Sequence, residues 1–342
     1  MNILFTCAGR RNYLLQYFKE ALNGEGKVIA ADMQRSAPAM AVADEAYIVP
    51  GVYDKNYINN LKDICKKEQI KSLISLNDLE LPILAAAKNS FYKAGVKPII
   101  SEEKVIDVCF DKHQTVMFGE TINLNNPKTY ITLRQAITAL NKGILKFPVI
   151  VKPRWGSASI GIETPESLEE LHLAYDLVKI KLSRSNLFEA SKADPDRAIL
   201  IQEKINGTEY GLDVLNDFDG MPVQVYVKEK LAMRAGETDK AVLRNKPELE
   251  KLGFCIGESL GHIGNLDCDI FERNGKYYLL EMNPRFGGGY PFSHLAGANY
   301  PAAILSWLKG INFDFTSFKR VYDQPFAKCD TLIAVKQVSM NY

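Results

Sequence analysis

The first hundred residues of this 342-residue chain alternate short apolar runs with amphipathic stretches. This alternation predicts strands separated by helices, and such an order folds into a parallel, doubly wound sheet. We expect strands at residues 2–7, 28–31, 46–49, 72–75 and 98–100, and helices at residues 12–22, 53–68 and 79–93. The first structural unit should therefore end near residue 100.

The pattern changes after residue 100, where longer strands and a closing hairpin replace the regular alternation. Short helical segments surround Asp111 and Lys112, and the polar stretch 183–197 is the least structured part of the sequence. The other elements are expected as strands at 148–153, 198–204, 208–216 and 222–233, and helices at 133–142, 165–182 (N-capped by Thr164), 245–260 and 300–309. A second unit therefore follows the doubly wound sheet.

The strongest chemical signal is the closing hairpin, whose second strand reads YYLLEMNPRFGGG (277–289). Glu281 and Asn283 lie two residues apart, so both side chains leave the same face of the strand. Oxygen ligands on a rigid strand suit a hard cation such as Mg²⁺, and Arg285 just beyond them could hold phosphate oxygens. The alternative is a surface hairpin with solvated charges.

Asp269 on the preceding strand is the third candidate ligand, and the hairpin register decides whether it can serve. A two-residue turn at 274–275 would pair Asp269 with Leu280 and turn its carboxylate away from Glu281. A three-residue loop at 274–276 pairs Asp269 directly with Glu281 on one face. We therefore predict the three-residue loop, with a left-handed residue and a bulge.

A second signal is PVIVKPRWGSASIGI (148–162), in which a buried strand delivers Lys152 and a loop of small residues follows at once. Small side chains let backbone amides approach phosphate oxygens closely, while the ammonium group neutralises their charge. An ordinary Gly/Ser turn would give the same pattern. The loop is not a Walker A loop, because GxxxxGK[ST] occurs nowhere in the chain.

A third signal is ILIQEKINGTEYGLDV (199–214), which reads as a strand, a short polar bend and another strand. At such a bend the backbone of Glu203 and Ile205 could read an adenine edge, with Glu209 reaching ribose hydroxyls. An ordinary connection between strands explains the pattern equally well.

These pieces, in this order, resemble the ATP-grasp superfamily, specifically members similar to the carbamoyl-phosphate synthase large subunit and to amino-acid ligases. The resemblance covers nearly the whole chain and includes IVKP, the small-residue loop, QEKI with GTEYGLDV, and EMNPR. It implies an α/β protein of the α+β ATP-grasp type, with a Rossmann-like parallel sheet at 1–100 and a two-lobed ATP-grasp module at 101–342. The implied lobes are a lid-like small lobe at about 125–203 and a C-terminal lobe at about 204–342.

The resemblance also implies a role for each matching residue. The metal, Mg²⁺ or alternatively Mn²⁺, would be held by Asp269, Glu281 and Asn283, although many relatives carry Gln or Glu at the first position. The residues implied to bind ATP are Lys112, Lys152, Gly156, Ser157, Ala158, Ser159, Gly161, Glu203, Lys204, Ile205 and Glu209. The residues implied in catalysis are Lys152, Arg285 facing the transferred phosphoryl group, and Arg234 holding an acyl phosphate. For Arg234 a solvated strand edge is the alternative.

The activity implied is that of an ATP-dependent carboxylate–amine or carboxylate–thiol ligase, which forms an acyl phosphate and releases ADP and phosphate. Two alternatives stay open, namely carbamate or bicarbonate phosphorylation, and an ATP-binding protein without turnover. One ATP-grasp unit, where the complete carbamoyl-phosphate synthase large subunit has two, argues against full carbamoyl-phosphate synthesis by this chain alone. Nicotinamide binding is not expected, because the turn at 9–11 lacks the remaining glycines of GxGxxG.

Charge and composition set the expected partners and location. The chain has 42 Lys and Arg against 41 Asp and Glu, a net charge of +1, which removes the usual electrostatic reason to expect nucleic acid or an anionic membrane. Six scattered cysteines without a CxxC pair, and a start (MNILFTCAGRR) that is the reverse of a secretory signal, predict a cytoplasmic enzyme with reduced thiols. The expected partners are small-molecule carboxylate and amine substrates, with a homodimer as the default assembly.

Overall fold

The structure, a computed structural model, describes residues 1–156 and 161–335, and these residues form three β-sheets. The first sheet is parallel and contains β1 (Asn2–Thr6), β2 (Val28–Asp32), β3 (Glu45–Ile48), β4 (Ile70–Ser75) and β5 (Lys97–Pro98). Its strand order is β3-β2-β1-β4-β5. The helices that cover it are α1 (Asn12–Leu22), α2 (Pro38–Val42), α3 (Tyr57–Lys67) and α4 (Leu81–Lys93). The predicted parallel, doubly wound sheet is confirmed.

Hydrophobic burial explains why this sheet forms where the sequence predicts it. The central strand β1 is apolar on both faces, because helices cover both, and Ile3, Leu4 and Phe5 are fully buried. Helix α1 buries one stripe that includes Leu14 and Phe18, four residues apart. Burial of these side chains fixes β1 in the centre, with the loops after β1 and β4 at the same edge of the sheet.

The second sheet is small and antiparallel. It contains β6 (Thr129–Tyr130), β7 (Val149–Pro153) and β8 (Ile199–Glu203), in the order β6-β8-β7. The helices before and around it are α5 (Glu103–Phe110), α6 (Lys112–Thr121), α7 (Leu133–Asn141), α8 (Leu168–Ser183) and α9 (Leu187–Ser191), with a 3-10 turn at Pro195–Arg197. Part of the polar stretch 183–197, expected to be the least structured part of the sequence, is therefore helical.

The long helix of this region begins three residues later than the sequence predicts. Residues 163 and 165 are hydrogen-bonded to β7 through Val151 and Val149, which holds them extended. Ser167, and not Thr164, caps α8, since its hydroxyl accepts from the backbone N–H of Glu170 at 3.1 Å.

The third sheet is antiparallel and has six strands. These are β9 (Thr208–Asn216), β10 (Pro222–Arg234), β11 (Glu237–Leu243), β12 (Gly264–Arg273), β13 (Lys276–Asn283) and β14 (Pro325–Ala327). Their order is β13-β12-β9-β10-β11-β14. The helices are α10 (Pro247–Leu260), α11 (Tyr290–Leu295) and α12 (Tyr300–Leu308), with a 3-10 turn at Phe315–Ser317. None of the helices in the described parts of the chain has the length and apolarity of a bilayer-spanning segment.

The closing hairpin reaches the expected pairing by a different route from the one predicted. Its turn has two residues, Asn274 and Gly275, both with positive φ (53° and 72°), so the predicted three-residue loop is wrong. Asp269 nevertheless pairs with Glu281, because a bulge at Leu280 adds one residue to β13. A bulge places two consecutive residues opposite one partner, which compensates for the shorter turn.

The N-terminal unit packs against the six-stranded sheet through a shared apolar core. Phe18 of α1 meets Phe286 edge-to-face at a ring distance of 6.0 Å, and Phe286 in turn meets Tyr290 at 4.7 Å. Tyr17 stacks on His294 at 3.7 Å. These contacts bring the edge of the parallel sheet after β1 and β4 to the chain segment that follows β13.

Candidate active site

A cleft of about 430 Å³ opens between the small sheet and the six-stranded sheet, and α6 and the N-terminal unit complete its walls. Its volume lies within the ~300–1,000 Å³ typical of small-molecule sites. The five groups on which the sequence prediction rests all line this one cleft: Lys112, Lys152, Asp269, Glu281 and Asn283.

One wall of the cleft is acidic and is built by β12 and β13. Asp269 pairs with Glu281, and Asp267 pairs with Asn283, so four oxygen-bearing side chains occupy one face of the hairpin. Leu280 also lines the cleft, next to Glu281, as the bulge requires. The sequence reasoning missed Asp267, although the two-residue period that links Glu281 to Asn283 also links Asp269 to Asp267.

The donor set on this wall suits a hard divalent cation. Two carboxylates and an amide oxygen on adjacent strands are ligands that Mg²⁺ accepts. Among the described residues no group of three His, Cys, Asp or Glu side chains is spaced to hold a metal, so Asn283 has to serve as the third ligand in this assignment.

Lys230 of β10 connects the acidic wall to the predicted ribose contact. Its ammonium group lies 2.6 Å from Asp269 and 2.7 Å from Glu209, and its side chain is only 5% exposed. Burial alone would lower the pKa of Lys230, but the carboxylates of Asp269 and Glu209 outweigh burial and raise it. Lys230 therefore stays charged and holds both carboxylates in place.

The opposite wall is cationic. The ammonium group of Lys112 donates a hydrogen bond to the carbonyl oxygen of Gly156 and lies 4.0 Å from the Glu281 carboxylate. Lys152 on β7 is buried, and burial together with the charge of Lys112 lowers its pKa to about 8. Two ammonium groups that face one cleft form a site for a multiply charged anion.

Arg154 fixes the position of Lys112. Asp111 caps α6 by accepting from the backbone N–H of His113 at 2.9 Å, and the same carboxylate binds the Arg154 guanidinium at 2.8 and 2.7 Å. Arg154 also donates to Asp194 at 3.1 Å. The helix that starts at Lys112 is thereby tied to the polar stretch 183–197.

The small-residue loop lies beside the cationic wall. Gly156 (φ 98°) lines the cleft, Gly161 has φ 69°, and the chain returns to β7 where Glu163 pairs with Val151. A Cβ at Gly156 would lie 2.3 Å from Leu187, so α9 packs directly on the loop. The predicted phosphate contacts at Ser157, Ala158 and Ser159 lie outside the described residues.

Arg285 is buried at the end of the cleft nearest the N-terminal unit. It donates from Nε and Nη2 to Asp78, which follows β4, and its Nη1 lies 3.4 Å from Asp267. Burial would lower the pKa of Arg285, but Asp78 and Asp267 outweigh burial and raise it. No sequence motif pointed to Asp78, because it lies 207 residues from Arg285.

The glycine run after EMNPR leaves room for three charged side chains. A Cβ at Gly287 would lie 2.0 Å from the Asp267 carboxylate, one at Gly288 would lie 2.9 Å from Glu237, and one at Gly289 would lie 2.6 Å from the Lys228 chain. The sequence reasoning assigned this run no function, and the structure gives it a steric one.

One predicted catalytic group, Arg234, is not brought to the cleft, and neither is the nearby cation Lys228. Arg234 is half exposed, forms ion pairs with Asp239 and Asp330, and is not among the residues that line the cleft. Lys228 is buried and pairs with Asp213 at 2.6 Å. The cation of this strand that reaches the site is Lys230, which lies between them in the sequence.

The predicted adenine contacts lie at the connection between the two lobes. Residues 204–207 join β8 of the small sheet to β9 of the large one. Lys204 is exposed, Ile205 is buried, and Glu203 accepts from Arg273 at 2.9 Å. None of these three lines the cleft, so their contact with a nucleotide stays a prediction.

Comparison with known proteins agrees with this geometry. Residues 3–99 match the PylC-like N-terminal domain family, and residues 145–246 match an ATP-grasp domain family. The chain therefore carries an ATP-grasp domain behind a PylC-like N-terminal domain, which confirms the predicted resemblance. As a family, ATP-grasp proteins are ADP-forming ligases.

Individual relatives are distant. The carbamoyl phosphate synthase large chain of Thermoanaerobacter sp. is 26% identical over 203 residues, which is 56% of this chain and only 18% of that protein. Biotin carboxylase from Campylobacter jejuni superimposes with a TM-score of 0.73 at 14% identity, covering 93% of this chain and 73% of that one. L-amino acid ligase from Bacillus licheniformis gives 0.67 at 19% identity, covering 90% and 75%. At these identities the likeness establishes the fold.

Proposed function

We propose that this chain is an ATP-dependent carboxylate–amine ligase that activates a small-molecule acid as an acyl phosphate. One observation carries the proposal: two ammonium groups, Lys112 and Lys152, face Glu281 and Asn283 across a single cleft. Such a site can hold a triphosphate together with a divalent cation.

In the first step a carboxylate oxygen of the acid attacks the γ-phosphorus of ATP. The new O–P bond forms while the bond from the γ-phosphorus to the bridging oxygen breaks, and ADP leaves. Lys112 and Lys152 would hold the phosphate oxygens as their charge rises, and Arg285 would face the transferred group. Magnesium, held by Asp269, Glu281 and Asn283, would supply further neutralisation of that charge.

In the second step the amine attacks the acyl carbon, the carbon–oxygen bond to phosphate breaks, and the surplus proton of the amine passes to phosphate or water. Water must be excluded before this attack, because it would hydrolyse the acyl phosphate. Gly156 and Leu187, which lie against each other and line the cleft, would contribute to this exclusion.

The proposed function includes the substrates, location and assembly expected from the sequence. Small carboxylates and amines are the partners, with a thiol as the alternative nucleophile. The net charge of +1 gives no reason to add a nucleic acid or an anionic membrane. We place the reaction in the cytoplasm, with a homodimer as the default assembly.

The test is ADP release by the full chain with Mg²⁺ and ATP, assayed against a panel of carboxylic acids paired with amines and thiols. At least one pair should stimulate ADP release. Glu281→Gln should lower that rate by at least about a hundredfold, because a metal ligand supports several kcal/mol of transition-state stabilisation. Glu258→Gln, the same change at an exposed position, is the matched control.

This assay, combined with calorimetric titration of ATP into the full chain, separates the alternatives. Stimulation by bicarbonate alone, without an organic acid, would replace the ligase with a bicarbonate-phosphorylating enzyme. Tight ATP binding with no ADP release for any pair would replace it with an ATP-binding protein without turnover. Absence of ATP binding would overturn the site itself.

A further inference from the structure

An arginine of the N-terminal unit faces the cleft without a carboxylate partner. Arg11 follows β1, lines the cleft, and donates to the carbonyl oxygen of Leu76. It forms no ion pair within residues 1–156 and 161–335, whereas nearby Arg285 pairs with both Asp78 and Asp267. Burial, with repulsion from Arg285, lowers the pKa of Arg11. An unpaired guanidinium in such surroundings is a binding group for an anion.

The position of Arg11 in the sheet is one where ligands commonly bind. The order β3-β2-β1-β4-β5 reverses direction at β1 and β4, and ligands of open α/β sheets bind outside the carboxyl ends of the strands at that point. Arg11 follows β1, while Leu76 and Asp78 follow β4. The bond from Arg285 to Asp78 places this crevice at the end of the ATP-grasp cleft.

Two further polar groups lie close to Arg11, and one of them, Glu237, lines the cleft. The hydroxyl oxygen of Tyr13, in the first turn of α1, is buried and has no hydrogen-bond partner among the described residues. Burial raises its pKa, and Arg11 and Glu237 are both close enough to affect it. Glu237 lines the cleft from β11, half exposed and 3.1 Å from Lys328. The cleft therefore offers a cation and a carboxylate, while Tyr13 is not among the residues that line it.

We infer that Arg11 and Glu237 form the acid-binding subsite, and that the acid is an amino acid with a free ammonium group. Arg11 holds the carboxylate beside Arg285, and Glu237 accepts a hydrogen bond from the ammonium group. A second carboxylate on the acid would be repelled by Glu237, whereas an ammonium group is attracted to it. The inference rests on the proposed ligase function and specifies the substrate class of that site.

The experiment measures binding by isothermal titration calorimetry to the full chain loaded with Mg²⁺ and a non-hydrolysable ATP analogue. The probes are the twenty proteinogenic L-amino acids, and for each amino acid that binds, the matched acid without its amino group. At least one amino acid should bind at least tenfold more tightly than its deaminated analogue. Glu237→Gln should remove most of that difference.

Variants at the turn after β1 test the role of Arg11. Arg11→Ala should weaken the amino acid at least tenfold and the nucleotide by far less, while Arg11→Lys should recover part of the loss. Arg10→Ala removes the same charge from the adjacent, exposed residue, which does not line the cleft, and should resemble the wild type. Circular dichroism confirms that each variant is folded.

Two results would overturn the inference. One is an amino acid that binds Arg11→Ala as tightly as the wild type. The other is a panel in which no amino acid binds although the nucleotide does, which would leave the ligase proposal standing for other acids. Failure of the nucleotide itself to bind would instead overturn the proposed function, and the subsite with it.

Discussion

Arg285 and Asp78 are 207 residues apart in the sequence, and the guanidinium Nη2 lies 2.6 Å from the carboxylate. Both side chains are buried, so this ion pair joins the end of the closing hairpin to the loop after β4 inside the protein. The residue proposed to face the transferred phosphoryl group is thus positioned by the N-terminal unit.

Asp78→Asn should therefore affect both stability and activity. The substitution leaves the buried Arg285 with only its 3.4 Å contact to Asp267 as an ion pair, and we expect the free energy of unfolding to fall by about 1–3 kcal/mol. Urea denaturation measures this loss, with Asp63→Asn on the exposed face of α3 as the control. Equal stability of the two variants would show that the pair does not hold the units together.

Gly287→Ala should be costly although it adds a single methyl group. The new Cβ would lie 2.0 Å from a carboxylate oxygen of Asp267, which must move and so give up its contact with Arg285. We expect a loss of about 1–3 kcal/mol in unfolding free energy, as in other overpacked interiors. Gly51→Ala, where a Cβ meets nothing within 4 Å, should stay within about 0.5 kcal/mol of the wild type.

ATP affinity should fall as the pH rises above about 8. In the proposed function the phosphates bind the ammonium form of Lys152, whose pKa is lowered to about 8 by burial and by the charge of Lys112. Deprotonation at higher pH should raise the ATP dissociation constant by up to about tenfold per pH unit. Titration calorimetry at pH 7, 8 and 9 measures this slope. In Lys152→Arg the guanidinium stays charged, so an equally steep slope in that variant would assign the effect to another group.

Acid should destabilise the fold through His262. Its ring is buried, Nε2 lies 3.1 Å from the Val214 carbonyl oxygen, and burial lowers its pKa to about 4. In the unfolded chain the imidazole takes up a proton near pH 6.5, so the contribution of neutral His262 to the free energy of unfolding is fully present above that pH. It should fall by up to about 1.4 kcal/mol per pH unit as the pH drops toward 4.

The comparison of wild type with His262→Gln isolates this contribution. Glutamine is neutral throughout and can still donate to Val214, so the variant should lose less stability between pH 7 and pH 5. Urea denaturation at both pH values gives the two slopes. Identical slopes would mean that another group titrates.

Local periodicity sufficed to predict part of the site. The two-residue spacing of Glu281 and Asn283 predicted that both side chains leave the same face of a strand. The strand pattern before Lys152 predicted that this strand delivers its side chain to the site. All three residues line the cleft. Arg234, whose role only the resemblance implied, does not line the cleft, and the pairing of β10 with β11 shifts register between Lys230 and Met233. A bulge arises from pairing with a neighbouring strand, so sequence spacing alone does not reveal it.

Long-range partners could not be predicted from the sequence at all. In the sequence, Arg11 belongs to a fragment of a Rossmann turn, and nothing in that motif links it to Glu237 or Arg285. The start of α8 also depends on long-range contacts. Hydrogen bonds to β7 keep residues 163 and 165 extended, so the helix begins at Leu168. Such contacts are set by tertiary packing, which propensity does not encode.

The extra residue at Leu280 gives the hairpin two equivalent ways of aligning Asp269 with Glu281. A longer turn with regular strands, or the observed tight turn with a bulge, produces the same pairing. One inserted residue at the tip can thus be absorbed by loss of the bulge. The alignment of the two carboxylates is thereby uncoupled from the exact length of the tip.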